Sequence, residues 1–258
     1  MFNEKFEKYF DEFEKQLAAN NFSLELPIVE VPAITTDTFS FYTSVASVYS
    51  SKIEGEQIEA DSYMKHKFMG VKFQPTYTKK TDDLHKAYKF ASKKSLNTEN
   101  LLKVHTLVTK HFLHKTEQGI IRIENMAVRD EKGQILYVGT DKRHVRREFG
   151  LLMEYIEDLL SANLTTAQCF YYAAVIHLLL LNVHLFNDGN GRTSRLLEKW
   201  FLAQKLGEKA WYIQSEKYYY QNLNDYYRNL QRIGFEYEIL DYARCLPFTL
   251  MLSASLNR

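Results

Sequence analysis

The apolar positions of this chain recur mostly at three- and four-residue steps, the spacing that gathers them on one face of an α-helix. Phe39, Tyr42, Thr43, Ala46, Tyr49, Ser50 and Ile53 follow it and predict a helix over residues 38–53, with Gly55 just beyond as a stop. The same spacing predicts helices over 81–93 and 97–112, each opened by a Thr or Asn that can accept from the free N–H groups of a first turn. Further helices are expected over 142–160, 165–181, 189–205, 215–230 and 236–252, the second of them opened by a capping box of Thr165 and Gln168. Met1 to Leu17 interleaves Phe2, Phe6, Tyr9, Phe10 and Phe13 with Glu and Lys, which is an amphipathic helix and not the unbroken apolar core of a signal peptide.

Three stretches break the period. Residues 20–37 carry Pro27 and Pro32 among β-branched neighbours and read as a connector. Residues 56–81 offer one helical turn near 62–68, then Pro75 and polar residues, and read as a long connection. From Arg122 to Val138, apolar and β-branched residues flank Arg129-Asp130-Glu131-Lys132-Gly133, which predicts a β-hairpin over 122–139. With no internal repeat or linker, the expectation is a single domain over 1–258, mainly α-helical with one hairpin.

Composition narrows the function classes. A chain of 258 residues can bury a large core, and its 33 basic against 32 acidic residues leave a net charge of +1, so no polyanionic partner is implied. Lys142, Arg143, His144, Arg146 and Arg147 form a local basic cluster that is most simply a solvated helix start, not a nucleic-acid patch. Two cysteines, Cys169 and Cys245, favour a reducing compartment, with the cytoplasm as the expected location. The longest apolar run, Cys169 to Leu181, contains His177 and is too short to span a bilayer, so no membrane partner is expected. His111 and His114 are three apart on one helix but lack a third ligand for zinc.

Phosphate chemistry concentrates in one segment, His184-Leu185-Phe186-Asn187-Asp188-Gly189-Asn190-Gly191-Arg192-Thr193-Ser194-Arg195. His184 can exchange a proton near neutral pH, and Asp188 offers the hard oxygen that Mg²⁺ prefers. Gly189, Asn190 and Gly191 are small enough to bring backbone N–H groups to an anion, and a helix starting there adds the positive end of its dipole. Arg192 and Arg195, three apart, share a face of that helix.

This segment resembles the His-x-Phe-x-Asp-Gly-Asn-Gly-Arg-x-x-Arg signature of the Fic/Doc family, with Leu185 where the family usually has Pro. Ser50-Ser51-Lys52-Ile53-Glu54-Gly55 resembles the Ser/Thr-x-x-x-Glu-Gly/Asn motif of Fic proteins that carry an inhibitory helix, here residues 38–55. The resemblance implies a Fic-type helical bundle with a hairpin flap and a catalytic helix-loop-helix over 165–205. It implies an autoinhibited protein adenylyltransferase, moving AMP from ATP to a Ser, Thr or Tyr hydroxyl of a protein docked along the flap, with automodification among its outcomes. In that reading His184 is the base, Asp188 holds Mg²⁺, and Gly189, Asn190 and Gly191 bind phosphate, Asn190 also through its side chain. Arg192 and Arg195 clamp the outer phosphates, Asn222 borders the nucleotide, and Glu54, steadied by Ser50, competes with the γ-phosphate for Arg195. The alternatives are AMP removal or transfer of another phosphate-bearing group on the same scaffold, or a catalytically locked nucleotide-binding module. The target, the nucleotide preference, the signal that relieves the block, and whether the chain forms a homo-oligomer stay open.

Overall fold

The computed structural model describes residues 6–29 and 37–257. The first residues of the expected N-terminal helix, and Pro32 with its β-branched neighbours, lie outside them. Among the described residues the helices are α1 (Phe10–Ala19), α2 (Thr38–Ile53), α3 (Ala60–Met69), α4 (Pro75–Ala91) and α5 (Thr98–Val108). A two-stranded antiparallel sheet, β1 (Ala127–Arg129) and β2 (Ile135–Val138), follows. Then come α6 (Val145–Ser161), α7 (Thr166–Val183), α8 (Asn190–Leu206), α9 (Ser215–Gln221), α10 (Leu223–Gln231) and α11 (Leu246–Ala254).

The core is organised on α7. This helix is apolar on every side because α1, α6, α8 and α11 cover it. It is long and apolar enough to cross a membrane, yet 78% of it is buried inside this protein. Thr165 and Gln168 cap its start reciprocally, as the sequence predicts. Phe6, Phe13, Tyr171 and Tyr242 close one end of the core, with Phe13 and Tyr171 rings 5.0 Å apart and the Tyr171 hydroxyl donating to the Phe6 carbonyl at 2.9 Å. Burial of one such ring contributes roughly 1.5–3 kcal/mol.

α8 runs back along α7 and is its chemical opposite, burying Arg192, Thr193, Ser194, Arg195, Glu198 and Lys199. α2 lies near its start. Asp37 caps α2 by accepting from the Ser40 N–H at 2.9 Å, and small buried side chains, Thr43, Ser44, Ser47, Ser50 and Ser51, let its neighbours approach closely. The hairpin pairs Ala127 with Val138 and Val128 with Tyr137, then shifts register before Arg129. Asp130 builds its turn by accepting from Lys132 and Gln134 N–H groups, and β2 is bonded on its other edge to Phe235 at 2.7 Å.

Several expected boundaries are corrected. Residues 56–81 are not one long connection: α3 lies within them, and α4 starts at Pro75, since proline in a first turn loses no hydrogen bond and presets φ. The helix expected over 215–230 breaks at Asn222, whose backbone leaves the helical region (φ −118°, ψ 41°). Over 236–252 only α11 is α-helical. Before it, Asp241 accepts from the Ala243 N–H and sets a short turn, and Pro247 marks the first turn of α11. The strands are shorter than 122–139: ahead of β1 the Arg122 N–H donates to the Leu185 carbonyl at 3.0 Å and the Glu124 carbonyl accepts from the Arg122 guanidinium at 2.6 Å, which turns this stretch toward α7 and away from β2.

Candidate functional site

α7 stops at Val183, and His184 follows in left-handed backbone (φ 53°), a conformation uncommon outside glycine. Buried Arg122 holds it there. Its Nε donates to the His184 carbonyl at 2.6 Å, and its Nη atoms donate to the carbonyls of Glu124 at 2.6 Å, Thr140 at 2.5 Å and Val183 at 3.3 Å. One guanidinium thus joins the end of α7 to both flanks of the hairpin. Burial first, and then the Arg122 charge, push the His184 imidazole down to about 4. At neutral pH the ring is uncharged and able to take up a proton.

The loop after His184 is built on Phe186 and His105. Phe186 is fully buried and stacks on His105 of α5 with ring centres 3.6 Å apart. The Gly119 N–H donates to His105 Nδ1 at 2.8 Å, so Nε2 carries the proton and donates to the Asp188 carbonyl at 2.9 Å. Burial keeps this ring neutral as well, with its pKa lowered to about 4. Asn190 departs from expectation. Its side chain accepts from the Phe186 N–H at 3.0 Å and donates to the Phe186 carbonyl at 2.8 Å, so the amide pins the loop, and only its backbone N–H belongs to the free first turn of α8.

That turn offers backbone N–H groups to an anion. Gly189 precedes it in left-handed backbone (φ 81°), and a side chain there would meet Thr109 at 2.7 Å. No side chain caps α8, so its leading N–H groups are available to a ligand. Asp188 stands beside it, exposed, with one carboxylate oxygen accepting from the Gly189 N–H at 2.6 Å. A carboxylate has further lone pairs for a hard cation.

Arg195 is 1% exposed and its donors are directed at the end of α2 and at α10. Nε donates to Ser50 Oγ at 2.9 Å, Nη2 to the Ser50 carbonyl at 3.1 Å and to Glu54 Oε1 at 2.6 Å, and Nη1 to the Tyr226 hydroxyl at 3.3 Å. Glu54 also lies against Gly191: a Cβ there would fall 2.3 Å from its Oε1. Burial alone would raise the Glu54 carboxyl, but Arg195 and Arg192 outweigh it and hold the group below its ordinary value. Behind Arg195 a buried relay continues. Tyr226 meets His177 Nε2 at 3.1 Å, and His177 Nδ1 and the Tyr219 hydroxyl share Glu198 Oε2 at 2.7 and 2.9 Å. Such a network fixes the arginine's orientation.

These groups open on one cavity of about 240 Å³. His184, Glu54, Gly191 and Arg195 form one side, Val128, Leu136 and Tyr137 of the hairpin a second, and Tyr226, Tyr227 and Leu230 of α10 a third. The Tyr137 hydroxyl donates to the Asn182 carbonyl at 2.5 Å, fastening the hairpin to α7. Asn222 does not line this cavity. It sits at the break between α9 and α10, donates to the Tyr218 carbonyl at 2.9 Å, and borders a different cavity with Asn20 and Phe22.

The structure brings His184, Gly191, Arg195 and Glu54 to one cavity, with Asp188, Gly189 and Arg192 on the adjoining loop and first turn and Ser50 bonded to Arg195, and adds Arg122, His105 and the Glu198 relay, which the sequence did not single out. The signal for His105 was its helical step from Leu101 and Val108, which puts an imidazole on the inward face of α5. For Arg122 it was a lone cation between Ile121 and Ile123.

Residues 95–202 match the family model described as the Fic/DOC family. No curated protein matches the chain. Among solved structures it is similar to a Fic family protein from Desulfovibrio desulfuricans G20, at 18% identity over 98% of this chain and 70% of that one, with a TM-score of 0.69. It is similar to a Fic domain containing signaling protein from Bacteroides thetaiotaomicron VPI-5482, at 14% identity over 98% and 91% of the two chains, TM-score 0.65. Fic-1 from C. elegans aligns at 17% identity over 98% of this chain and 67% of that one, TM-score 0.60. The fold is therefore that of Fic proteins, and the chain carries a Fic/DOC family domain at residues 95–202.

Proposed function

We propose that this protein is an autoinhibited protein adenylyltransferase. Fic domains are known for AMPylation and related nucleotide-group transfer, which makes a transferase role the general expectation. The observation that carries the finer reading is Glu54 bonded to Arg195 at 2.6 Å, against Gly191 and in the same cavity as a neutral His184.

In the reaction the oxygen of a target hydroxyl bonds to the α-phosphorus of ATP, and the bond from that phosphorus to the bridging oxygen of pyrophosphate breaks. His184 takes the hydroxyl proton. The leading N–H groups of α8 hold phosphate oxygens, and Arg192 and Arg195 pair with the departing phosphates, since guanidinium donors match phosphate geometry. Asp188 fits Mg²⁺, which binds through one or two carboxylates and substrate phosphates and would neutralise charge on the triphosphate. The hairpin presents β1 as an edge along which an extended target segment adds as a strand. Glu54 occupies the Arg195 donors that the outer phosphates need, so ATP is held away from a productive pose until the end of α2 moves.

Incubation with ATP labelled at the α or the γ phosphate tests this. Label from the α position, stronger in Glu54→Gly and absent in His184→Ala, supports AMP transfer; label from the γ position rejects it. A second reading, AMP removal with Glu54 positioning water, is favoured by one fact: Glu54 and His184 face the same cavity. Loss of label from pre-modified protein only while Glu54 is intact selects that reading.

A further inference from the structure

The end of α2 directs two carboxylates at α8. The Gly55 N–H bonds the Lys52 carbonyl at 3.0 Å and the Glu56 N–H bonds the Ser51 carbonyl at 3.1 Å, with Gly55 left-handed (φ 84°). This is closure of a helix by backbone atoms around a glycine. It sets Glu54 against Arg195 and carries Glu56 across to Arg192. One oxygen, Glu56 Oε1, accepts from Lys80 Nζ at 2.6 Å and from Arg192 Nη2 at 3.2 Å. Both cations also lie on Phe112, the Arg192 guanidinium 4.6 Å and Lys80 Nζ 5.8 Å from its ring centre. Lys80 comes from α4, and its side chain is 37% exposed.

Two features say that Glu56 is a poor final partner for this pair. Its single oxygen serves two cations. Arg192 is 4% exposed, and its Nε N–H is buried with no hydrogen-bond partner, which leaves a donor desolvated and unused. A group with several anionic oxygens, arriving at the uncapped start of α8, supplies the acceptors that one carboxylate oxygen does not.

We propose that Lys80 is a phosphate-binding residue of this site, that it acts with Arg192 on the distal phosphate of a nucleoside triphosphate, and that Glu56 fills this subsite in the resting protein. The inference rests on the nucleotide reading above and adds to it a third cation and a second block. Its consequence is selective. Release of Glu54 frees Arg195 alone, while Arg192 and Lys80 stay held until Glu56 also leaves. Only ligands that reach the distal position gain from that second step, so ATP feels Glu56 and AMP does not.

The test is an equilibrium titration of the full chain with ATP and, separately, AMP, in a His184→Ala background that prevents turnover. Glu56→Gln should tighten ATP about tenfold, the equivalent of one charge-assisted hydrogen bond, leave AMP unchanged, and add to the gain from Glu54→Gly. Lys80→Met placed on Glu56→Gln should remove most of that gain, again for ATP alone. Thermal melting of each variant confirms that it is folded. Equal gains for ATP and AMP, or no response to Lys80→Met, overturn the inference. ATP binding that responds to Glu54→Gly but not to Glu56→Gln overturns the second block and leaves the nucleotide reading intact. Absence of ATP binding in every variant, Glu54→Gly included, overturns both.

Discussion

Two cations on α8 each meet a carboxylate at 2.6 Å, Arg195 with Glu54 and Lys199 with Glu216, and the two bonds lie one helical turn apart. Their surroundings differ. Glu216 is fully buried on α9 and also accepts from the Tyr88 hydroxyl at 2.5 Å, with the Lys199 ammonium 5.6 Å from the Tyr88 ring centre. Glu54 is 25% exposed at the end of a helix, one residue before a glycine turn. A pair closed off from water cannot lose one member without stranding the other, whereas a pair with one wet partner exchanges it for another anion at modest cost. Distance does not tell these two pairs apart; access to water does.

The sharpest way to break this comparison is Lys199→Met. It strands the Glu216 carboxylate and should cost about 3–5 kcal/mol in a urea titration, with no gain in AMP labelling. A loss below about 1 kcal/mol would mean that the two pairs are alike after all.

Acid should act on the Arg195 side without any mutation. His105 and His184, which build the loop beside Arg195, each have a folded pKa of about 4 against an ordinary value of 6.5. The unfolded chain takes up their protons first, so their contribution is full above about pH 6.5 and declines as pH falls toward about 4. We expect the two rings together to lose about 3 kcal/mol between pH 6.5 and about pH 5, read from denaturant midpoints, and a flatter profile in His105→Gln. A flat profile in the unmutated protein would contradict the neutral assignment of both rings.

Glu54→Gly should raise α-label incorporation about tenfold while stability changes by less than about 1 kcal/mol, the mirror image of Lys199→Met. Smallest of all, Gly55→Ala puts a side chain on left-handed backbone at a cost of about 1 kcal/mol and should raise labelling only a few-fold by loosening the turn. Labelling equal to that of Glu54→Gly would show that the turn, and not the carboxylate, holds the site shut.

What the sequence reveals follows from how far apart the partners are. The loop from His184 to Arg195 is legible because its proton acceptor, carboxylate, glycines and arginines are contiguous, and α2 is legible because its helical period is unbroken and Gly55 stops it. Lys80 and Glu56 are 24 residues apart, His105 and Asp188 are 83 apart, and no local period joins them. The burial of Glu198 and Lys199 further along α8 has no local signal, since a helix carrying Arg, Glu and Lys is buried only when other elements bring it counter-charges. Pro75 reads as a breaker until its place in a first turn is seen, and the amide of Asn190 reads as a ligand donor until Phe186 is found to use it.

The turn around Gly55 is closed by main-chain atoms, so the identities of residues 54 and 56 are not needed to shape it. On the proposed function, the idle rate of the site is therefore set by two side chains whose exchange leaves the turn itself intact. Exchange at those two positions would then move the protein between a quiet and a busy form while the backbone of α7 and α8 stays as it is.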